Sequence, residues 1–476
     1  MAYRIGDRYQ MNLFPQSIEE YVGTEDPVRA YDVFVETLKL NELGIIWDED
    51  QVGNSEYDPK SMIKLLVYGY SYGIRSSRKL ERATYHNVAF IWLMGGLNPD
   101  HKTIANFRKN NKKSLKNILK QCARLCIKLD LIEGNTLFVD GSKIRANASI
   151  NSTWTKEKCE KYLVKTDDRI ESILNECDTV DDKEQNDPSL IKLNEELKDK
   201  QSLKSKVQNI MKELEKEQRE KINSTDPECV NVKGRQGTHA GYNGQIVVDE
   251  KHGLIVNSDV VNENNDLNQF KEQIDQANQA LDKECETACA DAGYSNIDNL
   301  KKIDDKNINV IVPSSKQASG KEVGTFDKER FQYNEKEDCY ICPEGHKLSY
   351  NHFFTQRNQK VYRISNSSTC LSCKHFRICT KAKRGRTIIR LANEDVKIKI
   401  EKQYLKNESQ KIFNLRKQKV ELPFGHIKRN LGVNSFLLRG LDGVKAEMSL
   451  LSSCFNIARM ITIFGVAGFI EKLTSI

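Results

Sequence analysis

Apolar residues in the first third of the chain recur at helical spacing. Residues 61–72 place Met62, Leu65, Leu66 and Tyr70 on one side, and Pro59 stands where helices often begin. Two more helices are predicted, over 76–85 and over 89–94 before a Gly-Gly pair. This pattern predicts a helical N-terminal domain.

A further helix is predicted to start after Asp100, whose side chain is a suitable N-cap. Ile104 and Phe107 would form its inner side, and its basic residues would face outward: Arg108, Lys109, Lys112 and Lys113. A helix, a glycine-containing turn and a basic helix outline a helix-turn-helix DNA reader, although any small helical domain can share this outline.

Strand-like apolar runs begin at residue 136. They cover 136–140, 242–249, 253–261, 287–291 and 309–313, with helices predicted over 267–281 and from Asn296. Between the first two runs, 155–222 is charge-rich with leucines in heptad registers, and Pro188 after Asp181, Asp182 and Asp187 marks a turn. We expect a mixed α/β sheet with an inserted helical hairpin that acts as a spacer.

Composition excludes several classes of protein. The chain has 476 residues and 54.6 kDa, is 38% hydrophobic and 30% charged, and has a mean hydropathy of −0.62, which predicts a soluble protein. The apolar stretch 448–470 is interrupted by Asn456 and Arg459, so no membrane span is expected. Residues 1–10 lack the apolar core of a signal peptide. Thirteen cysteines without an export signal indicate a reducing compartment.

Positive charge is concentrated near the C-terminus. Residues 381–430 contain 15 lysines and arginines against 5 acidic residues, whereas 156–221 contain 15 against 18. Such a basic excess is typical of a surface that binds a polyanion, and equally of a solvated helix face.

Three acidic residues stand out by position. Asp140 and Asp291 each end an apolar run beside glycine, where they could hold a pair of hard cations or could simply start turns. Glu421 lies within the basic run, where it could complete such a metal site or form surface ion pairs.

The cysteines suggest a second, structural metal. Two Cys-x2-Cys pairs fit a thiolate zinc site, and the candidate ligands are Cys339, Cys342, Cys370, Cys373 and Cys379. Four ligands suffice, so one of the last three is spare or His375 replaces one. The alternative is five free thiols.

Six segments, taken in order, resemble the motifs of DDE-type bacterial insertion-sequence transposases. Val420-Glu421-x-Pro423-Phe424-Gly425-x-Ile427-Lys428 and Phe436-Leu437-Leu438-Arg439-Gly440, followed by Glu447 and Asn456, are similar to the C-terminal signature of that family. Four earlier segments of the chain resemble the earlier motifs of the same family. They are residues 99–108, 138–142, 241–256 and 291–294. The resemblance spans about residues 55–456.

This resemblance implies a ribonuclease-H-like core in which Asp140, Asp291 and Glu421 bind Mg²⁺, with Mn²⁺ as a substitute. It implies that Arg416 and Lys428 contact the transposon end, and that the N-terminal domain reads it, with Lys102, Arg108 and Lys109 as DNA contacts. The chain departs from relatives at Phe413, where many have tyrosine, and in the four residues between Arg416 and Glu421. Three other acidic residues could be mistaken for members of this metal-binding set, but a structural role explains each more simply. Asp249 is expected at a hairpin turn, Asp266 at a helix start and Glu408 in the basic helix.

The expected domains are a DNA-binding helical domain (1–130), the first part of the core (131–154), the helical insertion (155–235), the continued core (236–325), a zinc-ribbon-like insertion (326–385) and the C-terminal part of the core (386–476). The expected function is cut-and-paste transposition by a homodimer on double-stranded DNA, at the terminal inverted repeats and the target, in the bacterial cytoplasm at the nucleoid and away from membranes. A descendant that binds DNA without cutting it and a nuclease that only hydrolyses DNA are the alternatives.

Overall fold

The computed structural model describes residues 17–45, 56–181, 188–234 and 237–475. Residues 1–10, together with Asp182 and Asp187 of the predicted turn, lie outside the described residues. The chain divides into two compact units. Unit 1 comprises residues 1–266, 275–284 and 418–476, and unit 2 comprises 267–274 and 285–417.

The N-terminal part of unit 1 is helical, as the spacing of apolar residues predicts. Asp58 caps the helix that begins at Pro59, and the Asp100 carboxylate accepts a 2.7 Å hydrogen bond from the Thr103 amide, so both predicted helix starts are confirmed. The helices are α1 (Pro27–Glu36), α2 (Leu40–Leu43), α3 (Pro59–Ser71), α4 (Ser77–His86), α5 (Val88–Leu93), α6 (His101–Asn110), α7 (Lys112–Lys116) and α8 (Ile118–Lys128).

Unit 1 also contains an antiparallel sheet. The strands of unit 1 are β1 (Thr136–Arg145), β2 (Thr153–Trp154), β3 (Ile222–Asn223), β4 (Val230–Gly234), β5 (Gly237–Asp249) and β6 (Ile255–Val261), and the sheet consists of β1, β4, β5 and β6. β5 pairs with β1 along one edge and with β4 and then β6 along the other, while β2 and β3 form a separate two-stranded ladder. β1 runs five residues beyond the predicted end at Asp140, because its pairing with β5 continues to Arg145 opposite Gly241.

The predicted helical hairpin is confirmed. It consists of α9 (Lys156–Asp181) and α10 (Pro188–Lys216), and β2 and β3 close its base. Its small core is built from Cys159, Val207, Leu214 and Ile222. The Arg169 guanidinium on α9 bonds to Glu196 on α10 at 3.0 Å, which joins the two helices.

Unit 2 combines a parallel strand pair with a small antiparallel sheet. Its helices are the first part of α11 (Phe270–Leu281), then α12 (Ile297–Asp304), α13 (Ser315–Ala318), α14 (Ser367–Leu371), α15 (Glu394–Tyr404) and most of α16 (Asn407–Gly425). Its strands are β7 (Thr287–Cys289), β8 (Asn309–Ile311), β9 (Gln332–Asn334), β10 (Cys339–Ile341), β11 (Lys347–Phe354), β12 (Gln359–Ile364) and β13 (Thr387–Leu391). β7 and β8 are parallel, and β9 to β13 form a five-stranded meander. The whole chain is therefore mixed α/β, as predicted.

The last helix, α17 (Leu441–Thr474), is a core element of unit 1. It packs against α1, α3, α7, α8 and β6 and bends at Gly465, whose φ is 73°. The buried Asn456 side chain bonds to both the amide and the carbonyl of Ile255 at 2.8 Å, which fixes the helix on β6. Within the described ranges it is the one helix long and apolar enough to cross a membrane, but a buried core helix passes the same test.

Glu447 on α17 is completely buried and joins three parts of unit 1. One carboxylate oxygen accepts a 2.8 Å hydrogen bond from Arg75, between α3 and α4, and the other accepts the amides of Leu437 and Leu438 at 2.8 and 3.0 Å. Arg75 also donates to the carbonyl of Ser435. Burial raises the pKa of Glu447, and these bonds act in the opposite direction.

We expect Glu447→Ala to lower the free energy of unfolding by about 3–5 kcal/mol, because it leaves the Arg75 guanidinium and two amides without their shared acceptor. Urea unfolding followed by far-UV circular dichroism measures this loss. Glu471→Ala, which removes an exposed carboxylate from the same helix, is the matched control and should change stability by less than about 0.5 kcal/mol. Equal midpoints for the two variants would contradict the assigned role of Glu447.

Candidate active site

Asp140 lies in the middle of β1, where burial changes along the strand. The four residues before it are buried, whereas Asp140, Gly141, Ser142 and Lys143 are partly exposed. Side chains alternate along a strand, so Asp140 and Ser142 lie on the same face of the sheet. Asp140 is thus the first residue of the partly exposed half of β1.

Asp291 follows β7 and starts a short turn. Its carboxylate accepts a 2.8 Å hydrogen bond from the Gly293 amide and caps the 3-10 turn Ala292–Tyr294. The side chain remains partly exposed. The turn-starting role that strand-end aspartates commonly have is therefore present here, and it occupies one oxygen of the carboxylate.

Glu421 lies exposed near the end of α16, two residues before Pro423. The helix then continues as a π-helical segment, His426–Asn430. Within that segment the Lys428 ammonium donates a hydrogen bond to the hydroxyl of Ser142. The basic residue that follows Glu421 therefore contacts β1 on the face that carries Asp140.

Arg416 precedes Glu421 on the same helix and is half-buried. Its guanidinium lies 5.6 Å from the ring centre of Phe413, which in turn packs edge-on against Tyr404. Burial raises the pKa of the Cys289 thiol to about 12, and the positive charge of Arg416 acts against this rise. Arg416 therefore lies close to the strand that leads to Asp291.

Asp249 has a structural role, as the sequence suggests. It is buried at the β5–β6 turn, and its carboxylate accepts the amides of Gly134 at 2.8 Å and Lys251 at 3.0 Å. Burial raises its pKa. Glu408 is exposed in the first turn of α16, where a negative charge complements the helix dipole.

The predicted role of Asp266 as a helix start is wrong. α11 begins four residues later, at Phe270, and the Asp266 carboxylate instead accepts hydrogen bonds from Lys143, Asn243 and Gln245. Asn243 and Gln245 lie opposite Lys143 and Gly141, on the face of the sheet that alternates away from Asp140.

The orientation predicted for Arg108 is also wrong. Arg108 is buried, and its guanidinium donates to the Tyr70 hydroxyl at 3.1 Å, the Arg75 carbonyl at 2.7 Å and the Ser77 hydroxyl. It ties α6 to α3 and α4 and does not face outward. Lys109 on the same helix is exposed, as predicted, and Lys102 is exposed as well.

The structure separates the two members of the first Cys-x2-Cys pair, because Cys342 lines a cavity and Cys339 does not. A cavity of about 30 Å³ in unit 2 is lined by Cys342, Cys370, Cys373 and Cys379, together with His375. Cys339 is buried in β10, and its sulfur lies 3.9 Å from a Glu337 carboxylate oxygen. Among the residues that the structure describes, no three histidine, cysteine, aspartate or glutamate side chains stand in the arrangement of a bound metal ion.

Sequence reasoning missed two contributors to this region. Arg75 gave no signal, because a single arginine between two helices is indistinguishable from a solvated one. Ser142 stands out in the sequence only as part of the Asp140 motif, although its spacing of two residues from Asp140 already puts both on one face.

Comparison with protein families gives two matches. Residues 16–110 match a family model described as transposase domain (DUF772), and residues 341–461 match one described as transposase DDE domain. No curated protein and no solved structure matches the chain. The first match covers α1 to α6, and the second covers Glu421 with its basic neighbours. Together the two matches indicate a DDE-type insertion-sequence transposase.

Proposed function

We propose that the chain cleaves DNA strands at the ends of its element and joins them to target DNA, in cut-and-paste transposition. The observation that supports this most is the hydrogen bond from Lys428 to Ser142. It ties the helical segment that follows Glu421 to the strand of Asp140, on the same face of the sheet. Arg416, on the same helix, lies near the strand before Asp291.

Asp140, Asp291 and Glu421 are the proposed holders of the catalytic metal. All three offer carboxylate oxygens, the ligands that Mg²⁺ prefers, and Mn²⁺ accepts the same set. None of the three is fully buried. When bound, a pair of such ions supplies Lewis-acid activation of the attacking and leaving oxygens.

The protein's own part is positioning and charge neutralisation. Lys428 and Arg416 flank Glu421 on both sides in the sequence and would hold phosphates of the transposon end. The exposed Lys102 and Lys109 on α6 would bind backbone phosphates while the N-terminal helices read the inverted repeats. Because two ends must be joined, the active form would be a homodimer on double-stranded DNA in the bacterial cytoplasm, at the nucleoid.

A ribonuclease-H-like core fits this proposal. The antiparallel strands β1, β5 and β6 precede the parallel pair β7 and β8 in the chain. Asp140 lies in β1, the first strand of the first set, and Asp291 follows β7, the first strand of the second. A DNA-binding descendant without cleavage activity and a nuclease that only hydrolyses DNA remain the alternatives to be tested.

We expect Asp140→Asn to abolish strand cleavage while end binding stays within about twofold of wild type, because the change removes a charge and keeps the side-chain shape. The assay uses a labelled plasmid carrying the DNA that flanks the gene, with Mg²⁺. Joined products from the wild type distinguish a transposase from a nuclease. Binding without any cut by the wild type would support the non-cutting alternative and contradict the proposal.

A second pair of variants separates the site from general effects on α16. Glu421→Gln should lower the cleavage rate by at least about 100-fold, whereas Glu408→Gln on the same helix should leave it unchanged. Both glutamates are exposed, so neither change should unfold the protein. A cleavage rate lowered equally by the two variants would contradict the assignment of Glu421.

We expect Lys102→Ala and Lys109→Ala each to weaken end binding and to reduce the slope of log affinity against log salt by about 0.9, the loss of one phosphate contact. Thermal stability should not change, because both lysines are exposed. Lys212→Ala, at an exposed site on the helical hairpin, is the matched control. If the two α6 variants keep the wild-type salt slope, α6 is not the DNA-facing helix.

A further inference from the structure

The turn that begins at Cys342 has a compact hydrogen-bonded form. The Gly345 amide donates to the Cys342 carbonyl at 2.8 Å, the Cys342 amide donates to the His346 carbonyl at 2.9 Å, and Gly345 has a φ of 81°. The His346 amide then points at the Cys342 sulfur, 3.3 Å away. The backbone thus folds around this sulfur and donates to it.

A second group of turns surrounds the other three thiols. The His375 amide lies 3.5 Å from the Cys373 sulfur, and the Arg386 amide lies 3.5 Å from the Cys370 sulfur. The Cys379 amide donates to the His375 carbonyl at 2.9 Å, which closes the loop between Cys373 and Cys379. Three of the four sulfurs therefore face a backbone N–H, and such donors stabilise a thiolate relative to a thiol.

All four sulfur-bearing residues line one cavity. Its volume of about 30 Å³ is about that of a single water molecule. Cys342, Cys370 and Cys379 also pack against the core of the five-stranded sheet. A pocket of this size, lined by four partly buried thiols in unit 2, has the ligand chemistry and number of a structural zinc site.

We propose that Cys342, Cys370, Cys373 and Cys379 bind one zinc ion as thiolates, and that Cys339 is not a ligand. The four thiols line the cavity without being in ligand geometry, so binding requires them to rotate about their Cα–Cβ bonds toward its centre and to release their protons. Four thiolates select zinc over magnesium or calcium, which prefer oxygen ligands.

His375 is not needed to complete the ligand set, because the four thiols already supply the four ligands of a structural zinc site. Its Nε2 lies 3.0 Å from a Glu344 carboxylate oxygen, and its ring packs 4.7 Å from the ring centre of Phe326. Cys339 lies within β10, and its side chain is buried away from the cavity lining. Both residues therefore serve as controls that the sequence alone could not have supplied.

The test measures metal in the full-length protein, purified without added chelator, by inductively coupled plasma mass spectrometry. We expect about one zinc per chain in the wild type. Cys342→Ser and Cys379→Ser should lose most of it, whereas Cys339→Ala and His375→Gln should keep it. A wild type without zinc, or a His375→Gln variant that loses zinc while Cys379→Ser keeps it, would overturn the proposal.

A second measurement does not depend on how the variants fold. Replacement of zinc by Co²⁺ in the wild type should give the intense visible bands of a tetrahedral site and thiolate charge-transfer absorption of a four-sulfur set. An octahedral spectrum, or the absence of thiolate bands, would contradict the assigned ligands. The result is independent of DNA cleavage, so failure of the transposase proposal would not affect it.

Discussion

The buried carboxylate of Glu447 is the constraint on which the rest of unit 1 depends. It is inaccessible to solvent, so its charge is tolerated only while Arg75 and the amides of Leu437 and Leu438 all reach it. The same loop is held from the other side, because the Phe436 amide donates to the Arg145 carbonyl at the end of β1. One carboxylate therefore fixes the N-terminal helices, α17 and the loop after the π-helical segment to the strand of Asp140.

This arrangement explains why the position of Lys428 is well defined although a π-helical segment is locally irregular. Pro423 lacks an amide proton, so α16 cannot complete its regular hydrogen bonding there, and the helix widens directly afterwards. The widened segment is followed by the loop that Glu447 and Arg75 hold. Lys428 therefore lies between the helix that Pro423 distorts and the loop that Glu447 and Arg75 hold. From this position its ammonium donates a hydrogen bond to Ser142.

Local signals in the sequence were sufficient for most elements of the fold. The caps at Asp58 and Asp100 and the apolar runs of the β5–β6 hairpin each act over a few residues, and these predictions are confirmed. The predicted heptad positions Val207 and Leu214 lie in the core of the helical hairpin. Errors arose where partners are distant in sequence. Arg108 sits on the polar side of its helix by pattern, yet Tyr70 and Arg75 enclose it, and nothing within α6 encodes that.

The site shows the same division. The motifs identify Asp140, Asp291 and Glu421 as acids of interest, and the sequence also places Asp249 correctly at a turn, but the role of Asp266 is evident only from its hydrogen-bond partners. The resemblance to a family also mixes two kinds of residue, because Glu447 and Asn456 belong to the C-terminal signature and are completely buried structural residues. A sequence motif therefore does not by itself distinguish catalytic residues from residues that stabilise the fold around them.

The five-stranded sheet of unit 2 poses a stability problem of its own. Its core contains six buried side chains, which are Phe331, Tyr340, Leu348, Tyr362, Ile364 and Ile388. A core of this size supplies little hydrophobic stabilisation, and small natural folds commonly add a cross-link. The thiols of Cys342, Cys370 and Cys379 pack at the edge of this core, where a shared ion would join the turn after β10 to the segment between β12 and β13. Because the basic tract begins two residues after Cys379, such a cross-link would also fix where that positively charged segment starts.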